Sequence, residues 1–249
     1  LLITFSLVFS LPEISISKAE QDSLTYNTAF MKFSEMDYEV AKTAFDKYAQ
    51  SFVNGIFIND AYYYNAVSSL KIGDTVSAVL NYKKVVESGV HSYQEKALLF
   101  LARRSYNENN YDKSNLYYTK LLDLASSNSV KREVAIRLML GNEYTDMLVA
   151  LKYAKEVVEF DKLDDWLLSK AYIIIARHEF DSGNYAKSKS TFERVSKLSL
   201  YDEGAEAKYY LAYLTYLDEE LSLAEQLIFA LAENYNNDHF IAKAFILLS

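Results

Sequence analysis

The sequence predicts an all-α chain built as an α-solenoid of stacked antiparallel helix pairs, six pairs followed by part of a seventh. Three observations carry this. A small residue inside an apolar helical run recurs at Ala29, Ala66, Ala102, Ala176, Ala212 and Ser249, in steps of 37, 36, 74, 36 and 37 residues. A second small residue follows each anchor by about twelve positions, at Ala41, Ala78, Ser114, Ala150, Ser188 and Ala224, in steps of 37, 36, 36, 38 and 36. Self-similarity at a fixed period of this size marks a stacked array, because one helix pair buries only one face and needs a neighbour to cover the rest. The third observation is composition. Six Gly and one Pro in 249 residues are too few for a loop-rich β architecture, while 51% hydrophobic content supplies a large core.

Each unit reads as two amphipathic helices joined by a tight turn, within a repeat domain over 22–249 whose units fall at 22–57, 58–92, 93–128, 129–163, 164–201, 202–237 and a partial 238–249. The first unit pairs a helix over 22–33 with one over 40–52 across Glu35-Met36-Asp37-Tyr38. The second runs over 60–70, turns at Ile72-Gly73-Asp74 and returns over 78–86. The third covers 93–106, turns at 107–110 and returns over 111–124. The fourth is irregular: 134–140 is helical, but Gly141-Asn142-Glu143-Tyr144 predicts an early turn that leaves the unit one residue short. The fifth covers 165–180 and 185–198 around Ser182-Gly183-Asn184, and the sixth 202–216 and 221–233 around a turn at 218–220. Gly73 and Gly183 stand just past a helix end, where a left-handed conformation favours Gly. Asp60, Asp164 and Asp238 precede apolar runs and are expected to be N-caps. The aromatic four positions after the second small residue (Phe45, Tyr82, Tyr118, Phe192, with Ala154 and Ile228 as exceptions) is expected to fill the space that the small residues leave.

The two ends carry their own expectations. Residues 1–11 are apolar, Pro12 follows, and Ser17-Lys18-Ala19 has the small-x-small form of a cleavage site, the outline of a secretory signal. No initiating Met and no basic stretch precede the run, and eleven apolar residues are too few to span a bilayer. Segment 1–21 is therefore assigned as a signal remnant or a linker. At the other end Phe245, Ile246, Leu247 and Leu248 sit on a helix without its pair, which predicts a longer array or a homodimer covering that end.

The turn strings resemble the tetratricopeptide repeat family: Met36-Asp37-Tyr38-Glu39-Val40-Ala41, Gly73-Asp74-Thr75-Val76-Ser77-Ala78, Asn110-Tyr111-Asp112-Lys113-Ser114 and Gly183-Asn184-Tyr185-Ala186-Lys187-Ser188. The units here are longer than that family's standard unit of about 34 residues, and Val53 stands where its closing Pro would be. The resemblance implies a right-handed superhelix, a groove lined by first helices, and a protein or peptide ligand. The long units, the 22 tyrosines and phrases such as Glu203-Gly204-Ala205-Glu206-Ala207-Lys208-Tyr209 are similar to large envelope repeat proteins of Bacteroidetes-type bacteria. That likeness implies the periplasm or cell envelope, with the cytoplasm as the alternative.

Residue chemistry points away from catalysis. The net charge is −8 and no Lys/Arg cluster interrupts it, so no nucleic-acid partner is expected. Cysteine is absent, which excludes disulfides and cysteine-based zinc sites. His91, His178 and His239 fall in different units, and His178-Glu179 lacks the second His of a zinc-protease motif. Asn107 to Asn110 with Asp112 lacks the central Gly and terminal Glu of a calcium loop. Asp164-Asp165 suits a helix N-terminus better than acid–base work. No enzyme, cofactor or metal is expected, and no transmembrane span.

The function expected is a non-catalytic scaffold that binds a peptide or partner segment. Mapping the first-helix face gives Tyr63, Val67 and Leu70, then Leu99, Arg103 and Tyr106, then Ile173, Arg177 and Phe180, then Tyr209, Tyr213 and Tyr216. The partner-binding candidates among them are Tyr63, Arg103, Tyr106, Arg177, Phe180, Tyr209, Tyr213 and Tyr216, of the residue types that binding hot spots favour or simply packed between units. Arg103 and Arg177 each follow an anchor Ala and either receive an acidic segment or pair with a nearby Glu or Asp. Two further readings stand beside this one: an accessory array of a larger enzyme or secretion machine, and a glycan or small-ligand binder using the tyrosines of the sixth unit.

Overall fold

A computed structural model describes residues 17–89 and 92–248. The expectations on residues 1–16, on His91 and on Ser249 lie outside them. Among the described residues there are thirteen α-helices and no strand. The chain forms two compact units, Leu1–Ala97 and Leu98–Ser249. No described helix is long and apolar enough to cross a membrane.

The first unit holds α1 (Lys18–Ser34), α2 (Tyr38–Ser51), α3 (Ile58–Lys71) and α4 (Thr75–Glu87), each packed on the next, with α1 also touching α3. Ser17, part of the small-x-small string, caps α1. Its hydroxyl accepts from the Glu20 amide at 3.2 Å while Glu20 accepts from the Ser17 amide at 2.8 Å, a reciprocal capping box. Tyr26, Ala29, Ala41, Phe45, Tyr48, Phe52 and Ala61 form the core. A polar knot closes the α2–α3 connection: the Tyr48 hydroxyl donates to the buried Asp22 carboxylate at 2.5 Å, and the Ile56 and Phe57 amides donate to Asp22 and to Tyr48, each at 3.2 Å.

The division between the units falls within α5 (Gln94–Asn107). The second unit continues with α6 (Tyr111–Leu121), α7 (Asn128–Asn142), α8 (Met147–Val157), α9 (Asp165–Asp181), α10 (Tyr185–Leu198), α11 (Asp202–Leu217), α12 (Leu221–Asn234) and α13 (Asp238–Ile246). From α6 onward consecutive helices pack on each other, and the first helices α9, α11 and α13 also touch in series.

The repeat anchors are where the periodicity puts them. Ala29, Ala66, Ala102, Ala176 and Ala212 have no exposed surface, nor do Ala41, Ala78, Ala150 and Ala224, while Ser114 and Ser188 are equally buried. Phe45, Tyr118 and Phe192 fill the adjoining space and are fully buried, and Tyr82 nearly so. A short side chain lets two helices approach, and the aromatic recovers about 2–3 kcal/mol of hydrophobic burial per ring.

Turn chemistry follows the same register with one addition. Gly73 and Gly183 have φ of +82° and +75°, as their positions predict, and Met36, Asn109 and Glu219 take the same left-handed conformation at φ 62°, 57° and 64°. Five turns therefore share one geometry, a left-handed residue followed by the N-cap of the second helix.

Three expectations need correction. The fourth turn is not early: α7 runs through Asn142, and its link to α8 covers 143–146, four residues where the other five pairs use three. Gly141 lies inside the helix, where Asn115 approaches its backbone and donates to the Gly141 carbonyl at 3.1 Å; a Cβ there would lie 2.3 Å from the Asn115 Oδ1. Asp164 does cap α9, accepting from the Leu167 amide at 2.8 Å. Asp60 and Asp238 are first-turn residues behind the caps Phe57 and Asn237, where a carboxylate still favours the helix N-terminus electrostatically.

Candidate functional site

The second unit lays its first helices side by side, and two kinds of side chain join them. Arg177 on α9 makes a two-pronged contact with Glu206 on α11, Nε and Nη2 each donating at 2.6 Å, and a third bond to Glu143 at the end of α7 at 2.9 Å. Lys170, two turns earlier on α9, reaches Glu203 on α11 at 2.5 Å and Glu143 at 3.9 Å. Only 18% of the Arg177 side chain is exposed, with 5% and 7% for Glu143 and Glu206. Burial pulls the Arg177 guanidinium toward losing its proton, but the carboxylates of Glu206 and Glu143 outweigh this and hold it above its ordinary range. Lys170 is raised through the same balance of burial against Glu203 and Glu143. Three carboxylates and two cations thus pin α7, α9 and α11 together.

Beside this spine runs an aromatic ladder. Phe180 at the end of α9 lies 5.8 Å from Tyr213 on α11, Tyr213 lies 6.2 Å from Tyr209, and Tyr209 lies 5.8 Å from Phe240 on α13. Phe180 also meets Tyr210 and Tyr185, and Tyr210 stacks on Phe192 at 4.7 Å. Tyr209 and Tyr213 are half-buried, and Tyr216, one turn on, is exposed. Burial, then the neighbouring Tyr213, raises the Tyr209 phenol, so it stays a neutral donor and acceptor through the physiological range. The Lys243 ammonium stands 5.9 Å over the Tyr209 ring. This arrangement offers a rigid, partly apolar face with phenolic hydroxyls at its surface.

Of the other candidates, Arg103 is held by Glu133 on α7, its Nε donating at 2.7 Å, and Tyr118 donates to the same carboxylate at 3.1 Å. The hydrogen bond from Arg103, with its charge, keeps the Glu133 carboxyl below its usual range despite partial burial. Tyr106 is capped by the Arg137 guanidinium 4.2 Å from its ring centroid and meets Tyr111 edge-on. Tyr63 belongs to the first unit, half-buried and stacked on Tyr93 at 4.1 Å. Val67, Leu70 and Leu99 are half-buried. Ile173 is not a surface residue: it is fully enclosed in the core, because the face of α9 that carries it packs inward.

The two arginines therefore take the second of the alternatives the sequence left open. Both pair within the chain, and each with a carboxylate on the next first helix, 30 residues on for Glu133 and 29 for Glu206. Sequence reasoning passed over those glutamates, along with Lys170, Glu143 and Phe240. The signal that could have found them is an acid 30 or 29 residues beyond each arginine, well short of one full repeat. Among the described residues no group of three or more His, Asp or Glu could hold a metal ion. His178 is half-buried and His239 exposed beside Phe240.

No family model matches the chain, and no curated protein does. Solved structures similar to it include pilF of Pseudomonas aeruginosa, with a TM-score of 0.46 at 13% identity over 91% of this chain and 98% of that one. PilW, a widely conserved type IV pilus biogenesis factor, gives 0.44 at 11% identity over 91% and 99%. A tetratricopeptide repeat protein from Parabacteroides merdae gives 0.45 at 13% identity over 89% and 83%. These are likenesses at low identity and modest superposition, and the fold described above rests on the helix pairs of this chain itself.

Proposed function

We propose that this chain is a non-catalytic interaction scaffold that holds an extended or helical segment of a partner protein against the first helices of its second unit. The observation that carries the reading is the ladder Phe180–Tyr213–Tyr209–Phe240, aromatic and half-buried across three helices, with the exposed Tyr216 continuing it. Tyrosine supplies a large contact area at low entropic cost, with a hydroxyl for orientation. The ion-paired spine of Arg177 and Lys170 fixes the helices that present the ladder, which limits what ordering costs on binding. Arg103, Tyr106 and, in the first unit, Tyr63 are proposed as further contact residues. The bacterial cell envelope is the compartment this reading favours, on the sequence likeness alone.

The test is a displayed library of random peptides selected against the chain. Selected peptides should lose about tenfold or more in affinity when Tyr209 and Tyr213 are both replaced by Ala, with the circular dichroism unchanged. Peptides that bind the double variant as tightly as the native chain would count against the ladder. Selection of glycans rather than peptides on an array would favour the small-ligand alternative.

A further inference from the structure

A second surface of this unit carries large apolar side chains that the ladder does not use. Trp166, the single tryptophan of the chain, is 52% exposed, and Leu200 and Tyr201 are each 77% exposed. Trp166 lies in the first turn of α9, and Leu200 and Tyr201 form the link into α11. These are neighbouring places on one edge. Lys170, one turn beyond Trp166 on α9, is bonded at 2.5 Å to Glu203 in the first turn of α11.

The edge is rigid. The Asn237 side chain, at the start of α13, donates to Asp202 at 2.7 Å, and the Tyr235 hydroxyl donates to the Ser199 carbonyl at 3.3 Å. Gly204 packs so closely on the Ser199 backbone that a Cβ there would lie 1.9 Å from its carbonyl oxygen. Arg132 on α7 donates to the Asp161 carbonyl at 2.6 Å, tying down the link before α9. Exposed tryptophan, leucine and tyrosine on a mobile tip would mean little. On a bonded edge the backbone that carries them is already placed, so less ordering remains to oppose binding.

The charge of the same edge selects the occupant. The links over 158–166, 199–203 and 235–239 expose six carboxylates (Glu159, Asp161, Asp164, Asp165, Asp202 and Asp238) against two cations, the Lys162 ammonium and the Arg132 guanidinium that reaches the Asp161 carbonyl from α7. Some of these complement helix N-termini, and all six are exposed to solvent, so the edge carries an excess of negative charge. We infer that the edge formed by Trp166, Leu200 and Tyr201 docks a basic, leucine-bearing segment of a partner protein, its apolar side chains against the three exposed residues and its Lys or Arg side chains over the carboxylates. Cation–π contact with Trp166 and Tyr201 adds to the fit. This surface is separate from the ladder and does not depend on it.

The probe is a labelled synthetic peptide of about twelve alternating lysines and leucines, followed by anisotropy and by the fluorescence of Trp166, a length spanning two to three helix starts when extended. Binding should shift the Trp166 emission to the blue and weaken with salt. Replacing Trp166 and Tyr201 together by Ala should weaken binding about tenfold, and the exposed positions leave helicity unchanged. The Asp161→Asn, Asp165→Asn variant should keep the emission shift but lose part of the salt dependence. Tyr209→Ala with Tyr213→Ala should change nothing, which separates this surface from the ladder. The inference is overturned if a lysine-only peptide binds equally well, if Trp166 emission stays fixed on binding, or if the Trp166/Tyr201 variant binds like the native chain.

Discussion

Arg177 and Arg103 hold equivalent places, each after an anchor alanine, yet their energetics differ because their burial does. Removing Arg177 leaves Glu206 enclosed without a cation and Glu143 with only Lys170 at 3.9 Å, and a buried charge stripped of its partner costs roughly 3–5 kcal/mol. Arg103 has 55% of its side chain in solvent, so its pair with Glu133 contributes about 1 kcal/mol or less. In urea unfolding, Arg177→Ala should therefore lower stability by about 3 kcal/mol or more, and Arg103→Ala by about 1 kcal/mol or less. Equal losses would mean that the Arg177 cluster is wetter than its geometry indicates. The arginines were legible in the sequence as special positions. Their partners were not, because side-chain pairing is sought three or four residues along one helix, whereas these glutamates arrive on the next first helix.

At the scale of the element, five turns share a left-handed residue, but only two spend a glycine on it. Gly73 and Gly183 were readable for that reason. Met36 and Glu219 were not, since nothing in a methionine or a glutamate announces φ near +60°, and Asn109, of a type that tolerates this conformation, is one of three asparagines in its turn that sequence alone does not rank. Gly141 misled in the other direction: it serves a close approach inside α7, and read as punctuation it put the fourth turn too early. A side chain in the left-handed region costs on the order of 1 kcal/mol, so Glu219→Gly should stabilise the chain by roughly 0.5–1 kcal/mol despite the added chain entropy. Gly183→Ala should destabilise it by about 1 kcal/mol. Thermal unfolding of the two variants checks both signs, and a Glu219→Gly protein no more stable than the native chain would contradict the shared turn geometry.

For the whole molecule, the period of small residues was enough to give the all-α helix-pair architecture and the enclosed anchors, because a buried contact between two helices constrains residue size at a fixed spacing. It was not enough to separate surface from core on a given helix. Ile173 reads like its neighbours Arg177 and Phe180 but lies fully inside, since α9 is packed by α8, α10 and α11 and keeps only part of one face for solvent. The aromatic ladder was half legible. Phe180, Tyr209 and Tyr213 were picked by repeat register, whereas Phe240 and the stacked Tyr210–Phe192 pair emerged only from the packing. The acidic, apolar edge at Trp166, Leu200 and Tyr201 was invisible, because exposure at a helix start has no periodic signature.

The claim that the first-helix ladder is the partner-binding surface is tested most directly by placing a photo-reactive amino acid at position 213 on α11 and, separately, at position 229 on α12. Phe229 is 48% exposed on a second helix and lies off the ladder, so it serves as the matched control. With a library-selected peptide bound, irradiation should yield a covalent adduct from position 213 and none from position 229. Adducts from 229 and not from 213 would contradict the account.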